Sequence, residues 1–125
     1  MVLDTSVIIA HFRDDATVTG RLASEDFLCV PAVAVGELYY GAYRASNSEE
    51  ARERIRSFLD VTHTLVVDEE TADQYGVIKK ALAEKGTPIP DNDIWVAASA
   101  MRHGMPLAAR DQHFTLINGL DLRAW

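Results

Sequence analysis

The chain has 125 residues and a formal charge of −7 at pH 7, from 19 acidic and 12 basic residues. Its composition, 48% hydrophobic and 25% charged, is typical of a globular protein, and its length predicts a single domain over residues 1–125. The lone cysteine, Cys29, excludes an intramolecular disulfide and favours a reducing compartment. The acidic balance argues against binding through a general basic surface. A nucleic-acid substrate is not excluded.

The first residues do not have the pattern of a secretory signal. Asp4 follows only two apolar side chains, so no basic segment and long apolar stretch precede it. No apolar run elsewhere approaches the roughly 20 residues that a membrane helix needs. We therefore expect a soluble, cytoplasmic protein that does not contact a membrane.

Short apolar strands and helices alternate in the first half of the chain. The spacing predicts a strand at 2–4, helices at 6–12 and 15–24, a strand at 27–30 closed by Pro31, and a helix at 32–43. The last of these has small and apolar residues almost all round, the pattern of a helix buried on several sides. Glu37 is its only charged residue.

The same alternation continues in the second half. We expect a helix at 49–59 capped by Ser48, a strand at 64–67, a helix at 69–85 capped by Asp68 and ended by Gly86, a helix at 94–103 opened by residues 91–93, and strands at 106–109 and 120–122. This order predicts the α/β class, with a mostly parallel central sheet in a three-layer α/β/α arrangement. Ligands of such sheets bind at the carboxyl ends of the strands.

Four acidic residues stand where a structural sequence would more readily use an apolar or neutral residue. Asp4 ends the first strand, Glu37 interrupts the buried helix, Asp93 begins an apolar helix, and Asp111 follows the fourth strand. These positions allow all four carboxylates to meet in one cleft, where they would repel one another unless cations neutralise them. Arg110 is the only basic residue directly beside any of them. The oxygen-rich set favours Mg²⁺ or Mn²⁺.

A zinc site is not expected. One cysteine cannot form a structural zinc site, and the histidines have no paired ligand spacing. Most of these histidines are expected at the surface or in hydrogen bonds; they are His11, His63, His103 and His113.

Four segments of the chain resemble the signature segments of PIN-domain ribonucleases and, more narrowly, of VapC toxins. They are MVLDTSVII at 1–9, VAVGELYYGA at 33–42, IPDNDIWVAA at 89–98 and LAARD at 107–111. The resemblance spans essentially the whole chain in the right order and implies a PIN fold. It departs at Ala109, where the family often has threonine, and at His113, where it often has a second acid.

The resemblance implies specific roles for individual residues. The family's acidic quartet, which holds one or two Mg²⁺ or Mn²⁺ ions, is matched by Asp4, Glu37, Asp93 and Asp111. Ser6 matches a small polar position beside the metal site. The implied activity is metal-dependent endoribonuclease hydrolysis of RNA phosphodiester bonds, leaving a 5′-phosphate and a 3′-hydroxyl without using the ribose 2′-OH. The implied partners are a VapB-like antitoxin, which would make the protein a toxin, and a second copy in a homodimer.

Other interpretations remain open from the residues alone. Asp4 and Asp93 could cap helices, Asp111 could form a turn, and Asp91 is expected to be a cap or to face solvent. A PIN-like scaffold that binds RNA or protein without catalysis is the main alternative. A haloacid-dehalogenase-like phosphatase needs an acid where this chain has Ser6, and a receiver domain needs paired early acids.

Two groups of side chains have no assigned role. The tyrosines could stack on bases but more often pack or form a dimer contact; they are Tyr39, Tyr40 and Tyr43. The arginines could touch phosphates or form a solvated helix face; they are Arg44, Arg52, Arg54 and Arg56.

Overall fold

The computed structural model describes residues 1–125 as strands and helices that alternate along the chain. The strands are β1 (Val2–Leu3), β2 (Cys29–Pro31), β3 (His63–Leu65), β4 (Leu107–Ala109) and β5 (Leu122–Ala124). The helices are α1 (Thr5–Phe12), α2 (Ala16–Ser24), α3 (Ala32–Tyr43), α4 (Ser48–Leu59), α5 (Glu69–Glu84) and α6 (Asp91–Arg102). A 3₁₀ helix at Gln112–Leu116 lies between β4 and β5.

All five strands form one sheet in the order β3-β2-β1-β4-β5, and every neighbouring pair is parallel. Val2 in the central strand lies opposite Cys29 on one side and Leu107 on the other. Every residue of β1, β2 and β4 is buried, and successive side chains of a strand point to opposite faces, so both faces of the sheet are covered. The predicted α/β class with a mostly parallel sheet is confirmed.

The strand order places a crevice at one end of the sheet. From β1 the chain builds outward through β2 and β3, and then crosses back to add β4 and β5 on the other side of β1. The direction of winding therefore reverses between β1 and β4. In open parallel sheets, ligands bind outside the carboxyl ends of the strands at such a reversal. Asp4 directly follows β1, and Arg110 and Asp111 directly follow β4.

One hydrophobic cluster of 26 buried residues forms the core. Its largest fully buried side chain is Phe114, which anchors the 3₁₀ helix. Cys29 lies buried in β2, as its apolar surroundings predict. No helix of the structure combines the length and the apolarity that crossing a membrane requires.

The capping of two helices, α4 and α6, differs from the sequence expectations. Asn47, rather than Ser48, caps α4: its side-chain Oδ1 accepts the N–H of Glu50 at 3.1 Å, and Ser48 is already helical. Helix α6 begins at Asp91 instead of residue 94, directly after Pro90. No side chain caps α6, so the capping alternative is wrong for Asp91 and Asp93, and Asp91 instead faces solvent, the other possibility expected for it.

The edge strands are also displaced from their expected positions. β3 begins at His63, paired with Cys29, and ends before the exposed Val66 and Val67. β5 occupies residues 122–124 rather than 120–122, because its pairing with β4 sets the register. Both edge strands are largely exposed, so an apolar pattern does not mark their limits. The end of α5 agrees with expectation, since Gly86 adopts φ +69° just beyond it.

Candidate active site

Asp4 is held at the junction between β1 and α1. Its backbone N–H continues the sheet by donating to the carbonyl oxygen of Ala108 at 3.0 Å. Its side chain caps α1, as Oδ2 accepts the backbone N–H of Ser6 at 3.2 Å and the Ser6 hydroxyl at 2.6 Å. The capping interpretation is thus correct, and all of the side-chain hydrogen bonds go to Oδ2. Only 5% of Asp4 is exposed, so the capped carboxylate is also a buried charge at the carboxyl end of the central strand.

Ser6 connects the ends of the two strands that flank the crevice. Besides donating to Asp4, its Oγ accepts the backbone N–H of Arg110 at 3.2 Å, just after β4. One hydroxyl therefore fixes the carboxylate after β1 relative to the chain that leads to Asp111. This agrees with the position beside the acids that the family resemblance implies for Ser6.

Glu37 projects from α3 and is partly buried. Its Oε1 accepts the hydroxyl of Thr5 at 3.4 Å. Burial raises the pKa of Glu37, and the neighbouring carboxylates of Asp4 and Asp93 raise it further, while the Thr5 hydroxyl opposes the change. Glu37 therefore lies near enough to Asp4 and Asp93 for their charges to interact.

Asp93 lies in the first turn of α6 with 15% of its side chain exposed. Burial is the main cause that raises its pKa, and the carboxylates of Asp4 and Asp111 add to it. The opposing contribution comes from His113, whose Nδ1 lies 2.9 Å from Asp93 Oδ2. Asp93 therefore lies near enough to Asp4 and Asp111 for their charges to interact, whereas only Asp93, Asp111 and His113 bring ligand atoms within 4.8 Å of one another.

Asp111 is the most exposed of the four, with 40% of its side chain accessible. Its Oδ1 accepts the backbone N–H of His113 at 2.9 Å and so caps the 3₁₀ helix, which confirms the local turn interpretation. The same oxygen lies 3.0 Å from Nδ1 of His113. Ligand atoms of Asp93, Asp111 and His113 all fall within 4.8 Å of one another, a spacing that permits metal binding.

His113 is the functional candidate that the sequence interpretation missed. Its only signal was its place two residues after Asp111, where relatives often have an acid. The sequence gives no helical or strand period over residues 112–116, so the turn that brings the imidazole back between two carboxylates was not predicted.

No lysine or arginine pairs with the acid cluster, and His113 is the basic side chain that contacts it. The guanidinium of Arg110 turns away: Nη2 pairs with Asp15 Oδ2 at 2.6 Å, and Nε donates to the carbonyl of Trp125 at 3.2 Å. Asp4 and Asp93 lie at the amino-terminal ends of α1 and α6, where the helix dipoles partly offset their charge. Four carboxylates, two of them with raised pKa, form a set of hard oxygen donors suited to a divalent cation such as Mg²⁺ or Mn²⁺.

The sequence of residues 1–120 matches the family model described as the PIN domain. The chain belongs to the PIN domain family. This PIN domain is 32% identical over 124 residues to Ribonuclease VapC5 of Mycobacterium tuberculosis, covering 94% of this chain and 87% of the relative. It is also 32% identical over 127 residues to Ribonuclease VapC2 of Haemophilus influenzae, covering 99% and 96%.

Solved structures give the same result for the fold. VapBC-1 from nontypeable Haemophilus influenzae superposes on this PIN domain with a TM-score of 0.90 at 26% identity, covering 99% of this chain and 96% of that one. VapBC2 from Rickettsia felis, solved with a promoter DNA fragment, reaches a TM-score of 0.92 at 22% identity, with coverage of 99% and 97%. The expected PIN-family resemblance is confirmed, and neither the phosphatase nor the receiver alternative is supported.

Proposed function

We propose that this PIN domain is an endoribonuclease that hydrolyses RNA phosphodiester bonds with the help of Mg²⁺ or Mn²⁺, and that it acts as the toxin of a toxin–antitoxin pair. The observation that carries the proposal is that four carboxylates, none paired with a lysine or arginine, lie near one another beside the reversal point of the sheet; they are Asp4, Glu37, Asp93 and Asp111. The relatives support this proposal, because two that this chain matches over most of their length are named Ribonuclease VapC5 and Ribonuclease VapC2.

The proposed metal ligands are Asp4, Glu37, Asp93 and Asp111. They fit the ion for two reasons. A bound divalent cation offsets the repulsion between neighbouring carboxylates that raises the pKa of Glu37 and Asp93, and carboxylate oxygens are the donors that Mg²⁺ and Mn²⁺ prefer. When bound, such an ion lowers the pKa of water and offsets the negative charge that develops on the phosphate and the leaving oxygen.

The chain's own side chains orient this donor set. The Ser6 hydroxyl holds Oδ2 of Asp4, and the Thr5 hydroxyl holds Oε1 of Glu37, so neither carboxylate rotates freely. His113 Nδ1 lies between oxygens of Asp93 and Asp111 and keeps them at a fixed separation. Since no second histidine accompanies this one in the cluster, the chain lacks the usual acid–base pair for the 2′-OH route. The resemblance to PIN-domain ribonucleases implies hydrolysis that leaves a 5′-phosphate and a 3′-hydroxyl.

The proposed partners follow from the complexes of the relatives. VapBC-5 from Mycobacterium tuberculosis is a member of the VapBC family of toxin–antitoxin systems, and this chain is 29% identical to it with coverage of 98% of this chain and 94% of that one. We therefore expect a VapB-like antitoxin and a homodimer. Tyr40 and Tyr43 support a protein contact on α3, because 66% and 65% of these residues are exposed. We place this single domain, with its free Cys29, in the cytoplasm.

The test is cleavage of a panel of tRNA, rRNA and mRNA by the purified, antitoxin-free protein. We expect discrete cuts with Mg²⁺ or Mn²⁺, none with EDTA, and none with Asp93→Asn. Asp91→Asn is the matched control, because Asp91 lies in the same helical turn but pairs with Lys79 at 3.0 Å. Absence of cleavage by the metal-loaded wild type, or equal cleavage by Asp93→Asn, would instead favour a non-catalytic RNA- or protein-binding scaffold.

A further inference from the structure

A groove of about 330 Å³ lies between α1, α3 and α4, and Glu37 of the acid cluster forms part of its wall. Apolar side chains such as Leu38 and Ile55 line it, together with three arginines. We call it the arginine groove and define it by Arg13, Arg44, Arg54 and Glu37. It holds three positive charges and one negative charge in a protein whose net charge is −7.

The charges of these arginines are not neutralised by the protein. Six of the 12 basic side chains have a carboxylate within 4 Å, and none of the six lines the groove. Arg54 is instead held by neutral groups, as Nη1 donates to the carbonyl of Phe12 at 3.2 Å. Arg44 lies over the ring of Tyr40, with 4.6 Å from its Cζ to the ring centroid. The groove therefore presents arginines that are partly ordered and still available to an anion.

We propose that the arginine groove binds the phosphates of a single-stranded RNA segment next to the bond that is cut. This inference rests on the proposed ribonuclease function, because it assigns the path of that substrate. Glu37 belongs to both the groove and the acid cluster, so a strand with one phosphate at the cluster extends directly into the groove. Arginine forks bind phosphate oxygens through paired hydrogen bonds.

This proposal divides the arginines that the sequence left without a role. Arg56 pairs with Glu53, and Arg52 donates to the carbonyl and the hydroxyl of Ser48. Arg44 and Arg54 line the groove, and they are joined there by Arg13 from the end of α1. The helix α4 therefore carries both a groove arginine and a paired arginine two residues away, which provides a matched control.

The experiment measures RNA binding separately from cleavage. Fluorescence anisotropy of a short, labelled, single-stranded RNA is followed in EDTA with the full chain carrying Asp93→Asn, at several salt concentrations. Into this background Arg13→Gln, Arg44→Gln and Arg54→Gln are introduced singly and together, and Arg56→Gln is the control. The logarithm of the affinity for single-stranded nucleic acid falls with the logarithm of the salt concentration, and each phosphate contact makes this slope steeper by about 0.7. At 0.1 M salt, one contact therefore contributes roughly fivefold in affinity.

We expect each groove variant to weaken binding roughly fivefold and to lower the salt slope by about 0.7, with Arg56→Gln unchanged. Equal affinity and slope in the triple variant, or an equal loss in Arg56→Gln, would overturn the groove assignment. So would unchanged RNA affinity together with loss of antitoxin binding, since the groove would then be a protein-docking surface. Cleavage by the wild type is scored separately, so failure of the nuclease and failure of the groove give different results.

Discussion

Replacing Ser6 by alanine removes the hydroxyl that fixes Asp4 to the neighbouring strand end. The bond from Ser6 Oγ to Asp4 Oδ2 is 2.6 Å long and has a carboxylate acceptor that is 5% exposed, and hydrogen bonds to charged groups contribute about 1.5–3 kcal/mol. The second bond, from the backbone N–H of the exposed Arg110, can be replaced by water and adds little. We expect Ser6→Ala to lower the free energy of unfolding by about 1.5–3 kcal/mol, or Tm by roughly 5 to 15 °C.

The same substitution should weaken cation binding. Residues that hold a metal-ligating carboxylate in place typically contribute 10- to 100-fold in metal affinity, so Ser6→Ala is expected to lose about that much for Mn²⁺. Thermal unfolding in EDTA and calorimetric titration of Mn²⁺ measure the two effects. Ser24→Ala is the control, because this exposed hydroxyl donates only to the carbonyl of Arg21. If Ser6→Ala matches the control in both assays, Ser6 does not organise the site.

Three further predictions concern charge and packing. Burial and neighbouring carboxylates raise the pKa of Glu37 above its ordinary 4.5. The protonated side chain therefore favours the folded state below pH 4.5, and this stabilisation is lost as the pH rises through the folded-state pKa. Glu37→Gln should therefore have a higher free energy of unfolding than the wild type at pH 7 in EDTA, and this difference should disappear below pH 4.5. Urea unfolding measured at several pH values tests this, and a difference that does not change with pH would refute it. The hydroxyl and backbone N–H of Thr71 lower the pKa of Asp68 from 3.8 to about 2, so its contribution is present above pH 3.8 and is lost as the pH falls towards 2. Asp68→Asn should make the free energy of unfolding less dependent on pH in that range. An unchanged pH dependence would show that the hydrogen bonds between Asp68 and Thr71 are absent. Phe114→Ala should cost about 3–5 kcal/mol in urea unfolding because its ring is fully buried, and a loss no larger than that of Leu116→Ala, at a partly exposed site on the same 3₁₀ helix, would contradict the packing.

The positions of the candidate acids in the fold could be predicted more accurately than the limits of the elements. Asp4 and Asp111 could be placed because each follows a short apolar run, and the carboxyl ends of parallel strands share one edge of the sheet. Glu37 could be recognised because a single charge in an apolar helix is uncommon. The edge strands β3 and β5 could not be delimited, since their residues are largely exposed and their positions depend on pairing with β2 and β4.

Features that depend on packing between distant segments were not accessible from the sequence. The imidazole of His113 reaches Asp93, 20 residues away in the chain, only because Phe114 anchors a 3₁₀ helix in the core. The arginine groove requires α1, α3 and α4 to meet, and no local pattern distinguishes Arg54 from Arg56. Asn47 and Ser48 are both good capping residues, so the choice between them was decided by backbone geometry.

The most direct test of the proposed site is calorimetric titration of Mn²⁺ into EDTA-stripped, desalted protein. We predict saturable binding by the wild type and by Asp91→Asn, and a loss of affinity of at least about tenfold in Asp93→Asn, because only Asp93 belongs to the four-carboxylate cluster. If the wild type bound no Mn²⁺, or if Asp93→Asn bound it as tightly as Asp91→Asn, these carboxylates would not form the metal site of a ribonuclease.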